Sequence, residues 1–484
     1  MDERQTTITL TFVLYLLVLL GIGFYAWRRT LNLSDFVLGG RSLGSWVAAL
    51  SASASDMSGW LLLGLPGYAY LSGLESRWLA VGLLIGTWLN WRLVAARLRV
   101  YSERAGNALT LPEYLSNRFA DSSGLIRIVS ALFILLFFLF YTSSGLVAGG
   151  KLFETVFGMP YSWAVAAGAL VIILYTAFGG FLAVSWTDLV QGLLMAAALV
   201  SVPLMALGGG VPASQTVLDL GPNQGNLLDP FSNREGEALG WISIVSLLAW
   251  GLGYFGQPHI LARFKAVKSV EQIPQARRIA VTWVGLTLSA ACLVGLVGIG
   301  SFEPPLADPE KVFIHLVDLL FHPLVAGVCL AAILAAIMST ADSQLLVASS
   351  VFTDDLYKGL LKKTAGEREL VIVGRSAVLV IALAAYLLAL DPQSSVLDLV
   401  AYAWAGFGAA FGPAVILSLY WRSMTRLGAL GGILAGGLTV VIWKQLEGGL
   451  FDLYEILPGI LASVAAIVTL SLWERSLTED MDTL

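Results

Sequence analysis

Residues 52–60 read ASASDMSGW and lie in the middle of an apolar stretch that covers residues 43–70. Such a stretch predicts a helix that crosses about 30 Å of hydrocarbon, yet it carries the carboxylate of Asp56 near its centre. A charged side chain at that depth costs roughly 2.5 to 3.5 kcal/mol even on the milder scales, so it is expected to have a partner or a function. A packed structural hydrogen bond is the alternative to a functional role for Asp56.

Small residues around Asp56 favour a break in this helix. Alanine and serine precede it, and Gly64 and Pro66 follow it. An unwound stretch exposes carbonyl oxygens and helix ends, which bind ions and polar groups. Close packing against a neighbouring helix is the other use of such small residues.

The rest of the chain is equally apolar. Hydrophobic residues make up 57% of the 484 residues and charged residues only 13%, which excludes a globular enzyme of this size. Apolar stretches long enough to cross a bilayer recur throughout and predict an all-α integral membrane protein with about thirteen transmembrane helices. The predicted spans are residues 6–27, 43–70, 78–96, 124–150, 162–178, 183–207, 239–257, 279–299, 314–341, 370–390, 394–420, 427–444 and 454–472.

Lysine and arginine are concentrated in alternate loops, among them the predicted inner loops that hold Arg28, Arg29, Arg263 and Lys265. Because inner loops of membrane proteins are enriched in these residues, the pattern predicts an outer N-terminus and a cytoplasmic C-terminus. The span at residues 6–27 lacks a basic leader and a cleavage site, so it is predicted to be a retained helix.

A second break is predicted in the seventh span, where residues 250–258 read WGLGYFGQP. The two broken spans are five apart, and an odd repeat length reverses the orientation of the second repeat in the membrane. This pattern predicts five-plus-five inverted repeats with a binding site where the broken helices meet. The predicted division is an N-terminal helix and loop at 1–42, repeats at 43–207 and 239–420, an outer loop at 208–238, and two helices with a short tail at 421–484.

The ninth span contains two adjacent hydroxyl side chains, Ser339 and Thr340, in an otherwise apolar context. Serine and threonine in such helices often bond back to a carbonyl three or four residues earlier. The alternative is a sodium site, since sodium is a hard cation that prefers oxygen ligands and a broken helix supplies free carbonyls.

Taken together, these motifs resemble the sodium/solute symporter family, and within it the branch that carries proline. The matching stretches are FVLGGRS at 36–42, SASDMSGW at 53–60, SWTDLVQG at 185–192, residues 250–263, and MST at 338–340 followed by QLLV at 344–347. The resemblance covers nearly the whole chain. It implies a LeuT-like fold with broken first and sixth core helices, and sodium-coupled uptake of L-proline by alternating access.

The resemblance also implies an ion site between the broken first core helix and the eighth. Its sodium ligands are three carbonyls and two hydroxyls, those of Ala54, Met57, Ala336, Ser339 and Thr340. Asp56 is implied as a coupling residue, and Asp188 as an acid associated with sodium release toward the cytoplasm. An interfacial acid is the alternative for Asp188, and Asp342 is given no role.

The substrate contacts implied by the proline branch are Ser58, Trp60, Tyr141, Trp250, Tyr254 and Pro258. Aromatic faces suit the saturated ring of proline and its secondary ammonium, and a helix N-terminus or the ion suits its carboxylate. Simple packing is the alternative for these aromatic side chains.

Two rival functions share some of these features. The first is a sodium symporter of the same family for pantothenate, a monocarboxylate or a sugar, and the second is a transporter-like sensor. No enzyme activity, cofactor, nucleic acid or obligate protein partner is predicted. Cys292 and Cys329 are expected to be inert buried thiols, and His259 is expected to be an interfacial side chain.

Overall fold

The computed structural model describes residues 3–27, 38–178, 181–210, 227–302 and 304–482. These residues form helices joined by short loops, with two isolated β-bridges as their only extended pairing. Ten helical stretches among them are long and apolar enough to cross a bilayer, and two further apolar helices are shorter. The prediction of an all-α integral membrane protein is therefore confirmed, while the exact number of spans stays a prediction. Arg28, Arg29 and most of the predicted outer loop, residues 211–226, lie outside the described residues.

The helices are defined here in chain order. The first nine are α1 (Glu3–Trp27), α2 (Ser45–Asp56), α3 (Leu65–Ser72), α4 (Arg77–Leu89), α5 (Ala96–Arg104), α6 (Leu111–Arg118), α7 (Leu125–Phe157), α8 (Tyr161–Phe178) and α9 (Phe181–Met205). The others are α10 (Trp241–Ala249), α11 (Pro258–Ala266), α12 (Ile273–Gly298), α13 (Val312–Leu320), α14 (Pro323–Ser350), α15 (Glu367–Leu388), α16 (Val396–Tyr420), α17 (Arg426–Trp443) and α18 (Ile456–Asp482).

The first predicted break lies at Met57. Its torsion angles, φ −85° and ψ 79°, are close to those of an inverse γ-turn, and the Ser58 N–H donates to the Asp56 carbonyl at 3.0 Å. A wider helical turn, Trp60–Gly64, then leads into α3. The break therefore needs no glycine at its centre, and the chain resumes a helical path within a few residues.

The second predicted break lies at Gln257, which has φ −75° and ψ 108°. Gln257 precedes Pro258, and the residue before a proline is sterically disfavoured in the helical region. Before it, Trp250–Gly256 forms a tight 3-10 stretch, and after it α11 continues to Ala266. Arg263 and Lys265 are therefore buried helix residues, and the prediction that they lie in an inner loop is wrong.

The glycines of the 250–256 stretch permit close packing rather than unwinding. A Cβ on Gly251 would lie 2.0 Å from the carbonyl oxygen of Gly82 on α4, and a Cβ on Gly253 would lie 1.9 Å from Nε1 of Trp404 on α16. Real Cβ atoms do not approach other atoms this closely, so only glycine fits at these crossings. The break was located correctly, but its physical cause is the Gln257–Pro258 pair.

Two further predictions differ from the structure. The predicted span at 314–341 is interrupted, because Phe321 is extended at φ −116° and ψ 145° and a new helix starts at Pro323. The imino acid suits a first helical position and restricts the residue before it. The loop between the predicted spans at 78–96 and 124–150 is shorter than expected, since α5 extends to Arg104, and this loop contains the short helix α6.

Candidate ion and substrate site

The carbonyl of Asp56 organises the first break. Besides the Ser58 N–H, it accepts the Tyr141 hydroxyl at 2.6 Å and the Trp60 indole N–H at 3.1 Å. A carbonyl at a helix end lacks its helical donor, and three donors from the turn, from α7 and from the following turn replace it. Hydrogen bonds from Tyr141 and Trp60 therefore stabilise the non-helical backbone at the break, and the two side chains lie beside it.

Two hydroxyls of α14 meet the unwound end of α2. Ser339 Oγ donates to the Ala54 carbonyl at 2.8 Å, and Thr340 Oγ1 does so at 3.3 Å. Ser339 Oγ also lies 3.2 Å from the Ala336 carbonyl, so the back-bonding alternative and the inter-helix contact occur together. These contacts bring together four of the five predicted sodium ligand residues, Ala54, Ala336, Ser339 and Thr340. The fifth, Met57, is the residue at which α2 breaks.

The Asp56 side chain joins the two breaks. Its Oδ2 accepts the Tyr254 hydroxyl at 2.7 Å, and the Asn90 amide donates to the Tyr254 carbonyl at 3.0 Å. Asp56 is 1% exposed, and its Oδ1 has no hydrogen-bond partner among the described residues. A buried carboxylate oxygen without a donor is costly, so this oxygen is available to a cation or an ammonium group.

The aromatic residues form a connected group around Trp250. Its ring centroid lies 6.5 Å from that of Trp60 and 5.4 Å from that of Tyr454. Tyr254 packs edge-on against Trp404 at 4.9 Å. Of the predicted aromatic substrate residues, Trp60 and Trp250 therefore lie within the range in which aromatic rings interact favourably, while Tyr141 and Tyr254 are joined to Trp60 through their hydrogen bonds to Asp56.

Ser58 and Pro258 occupy different places. The Ser58 hydroxyl lies in the break and accepts the Trp60 backbone N–H at 3.4 Å. Pro258 starts α11 and lines a cavity of about 20 Å³ with Ala262, Lys265 and Leu346. Pro258 is thus at the edge of the aromatic group, toward the side of the protein that contains Arg263, called here the Arg263 side.

On the Arg263 side, Asp188 forms an ion pair inside the protein. Arg263 Nη2 lies 3.2 Å from Asp188 Oδ2, and both side chains are fully buried. Ser51 Oγ donates to the same carboxylate oxygen at 2.6 Å and lies 3.1 Å from Arg263 Nε. The interfacial alternative for Asp188 is therefore wrong, because its carboxylate is enclosed by α2, α9 and α11.

A chain of polar contacts links this ion pair to the α14 hydroxyls. Arg263 Nη2 donates to Ser343 Oγ at 2.5 Å, and Ser343 Oγ donates to the Ser339 carbonyl at 2.7 Å. Asp342, which was given no role, lies beside it, with Oδ1 3.3 Å from Ser343 Oγ. Asp188 is thus connected to the candidate ion site through Arg263 and Ser343.

On the opposite side, called the Glu310 side, a carboxylate covers the start of α16. The Glu310 oxygens accept the backbone N–H groups of Val396 and Leu397 at 3.0 and 3.1 Å and the Lys151 ammonium at 2.8 Å. A carboxylate at a helix N-terminus satisfies free donors and complements the helix dipole. Beside it lies a cavity of about 650 Å³, lined in part by Gly64 of the turn before α3.

For several residues at the site, the prediction from sequence was missing or gave the wrong location. Arg263 was assigned to a loop, although a proline at a first helical position followed by eight residues of helix-compatible sequence was a usable signal. His259 was expected at an interface, but it is fully buried and neither ring nitrogen has a hydrogen-bond partner among the described residues. Trp404 carried no signal, because one tryptophan in an apolar helix is most often packing.

Within the described residues, no group of three or more histidine, cysteine, aspartate or glutamate side chains could hold a metal ion. Cys292 and Cys329 are free and buried. The oxygen atoms at the break of α2 are therefore the donor set of interest, and they suit an alkali cation rather than a transition metal.

Comparison with known proteins places this site in a family. Residues 36–436 match the Sodium:solute symporter family. A sodium/proline symporter of Salmonella typhimurium is 52% identical, over 99% of this chain and 95% of its own, and the high-affinity proline transporter PutP of Bacillus subtilis is 50% identical, over 93% and 95%. The solved structure of a Na+-coupled sialic acid symporter has the same fold, with a TM-score of 0.78 at 19% identity over 96% of this chain and 98% of its own. The chain therefore belongs to the sodium:solute symporter family.

Proposed function

We propose that this protein is a sodium-coupled symporter that carries L-proline into a bacterial cell by alternating access. The observation that carries the proposal is the convergence of the Ser339 and Thr340 hydroxyls on the Ala54 carbonyl at the break of α2. The cargo rests on the relatives named for proline, which match at about half of all positions over nearly their whole length.

Sodium would bind between α2 and α14. The proposed ligands are the carbonyls of Ala54, Met57 and Ala336 and the hydroxyls of Ser339 and Thr340. When sodium is bound, each hydroxyl turns its lone pairs to the ion and its proton elsewhere, since a hydroxyl both donates and accepts. Because the ligands come from two helices, ion binding would fix α2 against α14.

The substrate would bind at the two breaks. Its saturated ring would pack on the Trp60, Tyr141, Trp250 and Tyr254 rings, which also attract the ammonium group. Ser58 lies in the break and would bond a polar group of the substrate. Pro258, at the start of α11, would contribute the wall toward the Arg263 side.

Asp56 and Asp188 are the proposed coupling residues. Asp56 would link ion and substrate, since its carboxylate holds Tyr254 while its backbone carbonyl holds Tyr141 and Trp60. Asp188 is connected to Ser339 through Arg263 and Ser343. Movement of Arg263 away from Asp188 would open a polar route from the ion site toward the cytoplasm.

The driving force is sufficient for concentrative uptake. With the N-terminus outside and the C-terminus in the cytoplasm, one sodium entering at about −100 mV gains roughly 2.3 kcal/mol. A tenfold sodium gradient adds about 1.4 kcal/mol. One sodium per substrate would therefore support a proline gradient of several-hundred-fold.

Uptake of labelled proline into proteoliposomes tests the proposal. Uptake is expected to require an inward sodium gradient, to ignore excess pantothenate, acetate and glucose, and to collapse in Asp56→Asn. Asp452→Asn, an exposed loop residue, is the matched control and should transport normally. Sodium-driven uptake of one of the competitors in place of proline would refute the cargo and leave the ion site standing.

The ion site is tested separately with a pair of serines on α14. Ser339→Ala is expected to raise the half-saturating sodium concentration by about tenfold, the loss of one charge-assisted oxygen contact. Ser349 makes the same kind of back-bond, to Leu346 at 3.0 Å, and this is its only side-chain hydrogen bond among the described residues. Ser349→Ala should therefore leave sodium dependence unchanged. Equal effects of the two variants would overturn the assignment.

A further inference from the structure

One buried side chain of α16, Trp404, has several contacts with the aromatic site. Trp404 is 1% exposed, and its indole N–H donates to the Trp250 carbonyl at 2.7 Å. Its ring stands perpendicular to that of Tyr254, with centroids 4.9 Å apart. Its own carbonyl accepts the Gln257 amide at 3.3 Å. Trp404 therefore touches the start, the middle and the end of the stretch that carries Trp250 and Tyr254.

The contact is constrained from both sides. The Trp250 carbonyl lies at the start of the tight 250–256 stretch and accepts the Trp404 indole N–H, so a side chain of the neighbouring helix binds the backbone of this stretch. Gly253 lies against the Trp404 ring so closely that any Cβ would collide with Nε1. The backbone of this stretch is thus packed directly against the Trp404 indole. A smaller ring at position 404 would allow this backbone to move.

A second residue, Tyr454, links the Trp250 ring to α16. The Tyr454 ring stacks on Trp250 at 5.4 Å with an interplanar angle of 22°. The Tyr454 hydroxyl donates to the carbonyl of Ala401 on α16 at 2.6 Å. Trp250 therefore has ring contacts with both Trp60 and Tyr454, and Tyr454 is itself hydrogen-bonded to α16.

We propose that Trp404 and Tyr454 are positioning residues that set where the Trp250 and Tyr254 rings lie, and thereby the size of the ring that the substrate site accepts. The inference rests on the proposed function, since it assigns these rings to a cyclic amino acid. Neither residue needs to touch the substrate. Trp404 acts through the 250–257 backbone and Tyr454 through the face of Trp250.

The test measures ring-size selectivity in proteoliposomes. Labelled proline uptake is competed with azetidine-2-carboxylate, which has a four-membered ring, and with pipecolate, which has a six-membered ring. In Trp404→Phe, the KM for proline is expected to rise about tenfold with a maximal rate within about twofold, and pipecolate should compete about tenfold better relative to proline. One methylene in a fitted apolar pocket is worth about that factor.

Trp78→Phe is the matched control. Trp78 also donates its indole N–H to a backbone carbonyl, that of Pro230 at 2.7 Å, and also packs edge-on against an aromatic ring, that of Phe231 at 5.4 Å. None of its described hydrogen bonds or ring contacts involves the 250–257 stretch, so Trp78→Phe should leave the selectivity ratio unchanged. The same ratio change in Trp78→Phe would overturn the inference, because the effect would then be a general loss of packing.

Tyr454→Phe is the second variant and removes only the hydroxyl bound to Ala401. It is expected to shift the ratio in the same direction by about threefold, the worth of a modest hydrogen bond, and it decides the question if Trp404→Phe fails to reach the membrane. If the wild type takes up proline and neither variant changes the selectivity between proline and pipecolate, this inference alone is overturned. A wild type without sodium-driven proline uptake overturns the proposed function, and this inference with it.

Discussion

The two sides of the site are held closed by different kinds of contact. On the Glu310 side, a loop residue bonds the start of α16 beside a cavity of about 650 Å³. On the Arg263 side, a fully buried ion pair ties α9 to α11, and the neighbouring cavity is about 20 Å³. The Glu310–Lys151 pair is also buried, with side chains 8% and 7% exposed, but it joins a loop residue to a helix beside the large cavity. The Arg263–Asp188 pair joins two helices and separates only when these helices part and both charges are hydrated again.

The difference assigns different tasks to the two sides. Because the Glu310 contacts involve a loop and a helix end, this side can open with little change in the packing of the membrane helices. The Arg263 contacts reach the ion site through Ser343 and Ser339. Opening of the Arg263 side is therefore expected to depend on the occupancy of the ion site, while opening of the Glu310 side is expected to depend on local bonds.

The largest effect is expected from breaking the buried ion pair. Arg263→Met leaves Asp188 enclosed without a counter-charge, which costs about 3 to 5 kcal/mol. Thermal unfolding of the purified protein should show this loss, and sodium-driven uptake should disappear. The double variant Asp188→Asn with Arg263→Met should recover most of the stability but not the uptake.

Arg278→Met is the control for this change, since Arg278 is an exposed residue of α12. It should unfold at nearly the wild-type temperature. If Arg263→Met is no less stable than Arg278→Met, the buried pair is not what holds the Arg263 side closed, and the contrast between the two sides fails.

An intermediate effect is expected on the Glu310 side. Glu310→Gln keeps the size of the side chain but loses the charge that Lys151 and the α16 N–H groups bind, a change of about 1 to 3 kcal/mol. Opening should become more frequent by about tenfold or more. A cysteine placed at position 397, which lines the large cavity, should then react faster with a membrane-impermeant thiol reagent in the presence of sodium and proline.

Glu154→Gln provides the comparison for Glu310. Glu154 binds Lys311 at 2.7 Å beside the same cavity, but it is about one-third exposed and bonds no helix end among the described contacts. Its substitution should change the labelling rate by less than twofold, the range of exposed ion pairs. Equal acceleration by both variants would mean that cavity charge, rather than the bond to α16, controls opening.

The smallest effect is expected at a surface ion pair. Lys362 and Glu369 lie 2.7 Å apart, with side chains 50% and 32% exposed. Exposed pairs are screened by water and salt and contribute little to stability. Lys362→Gln should therefore match the wild type in unfolding temperature and in uptake. A loss comparable to that of Glu310→Gln would show that ion-pair distance, and not burial, governs these effects.

The sequence was most informative where a residue contradicted its surroundings. Asp56 in an apolar stretch indicated the first break, because an unpaired charge in a membrane is costly wherever the neighbouring helices lie. The paired hydroxyls of α14 were recognisable for the same reason. By contrast, the second break was predicted from three glycines and a proline in residues 250–258, although all three glycines are required by close contacts with α4 and α16.

Composition and local chemistry by themselves determined that this chain is helical, lies in a membrane, and is interrupted at residues 52–60 and 250–258. These properties follow from transfer energies and backbone sterics, which act within a few residues. Only the tertiary structure decided that Arg263 pairs with Asp188, that Glu310 covers the start of α16, and that Trp404 supports the 250–257 stretch. Each of these contacts joins residues 75 or more positions apart, and a pairing at that distance depends on how whole helices pack, which no short stretch of sequence encodes.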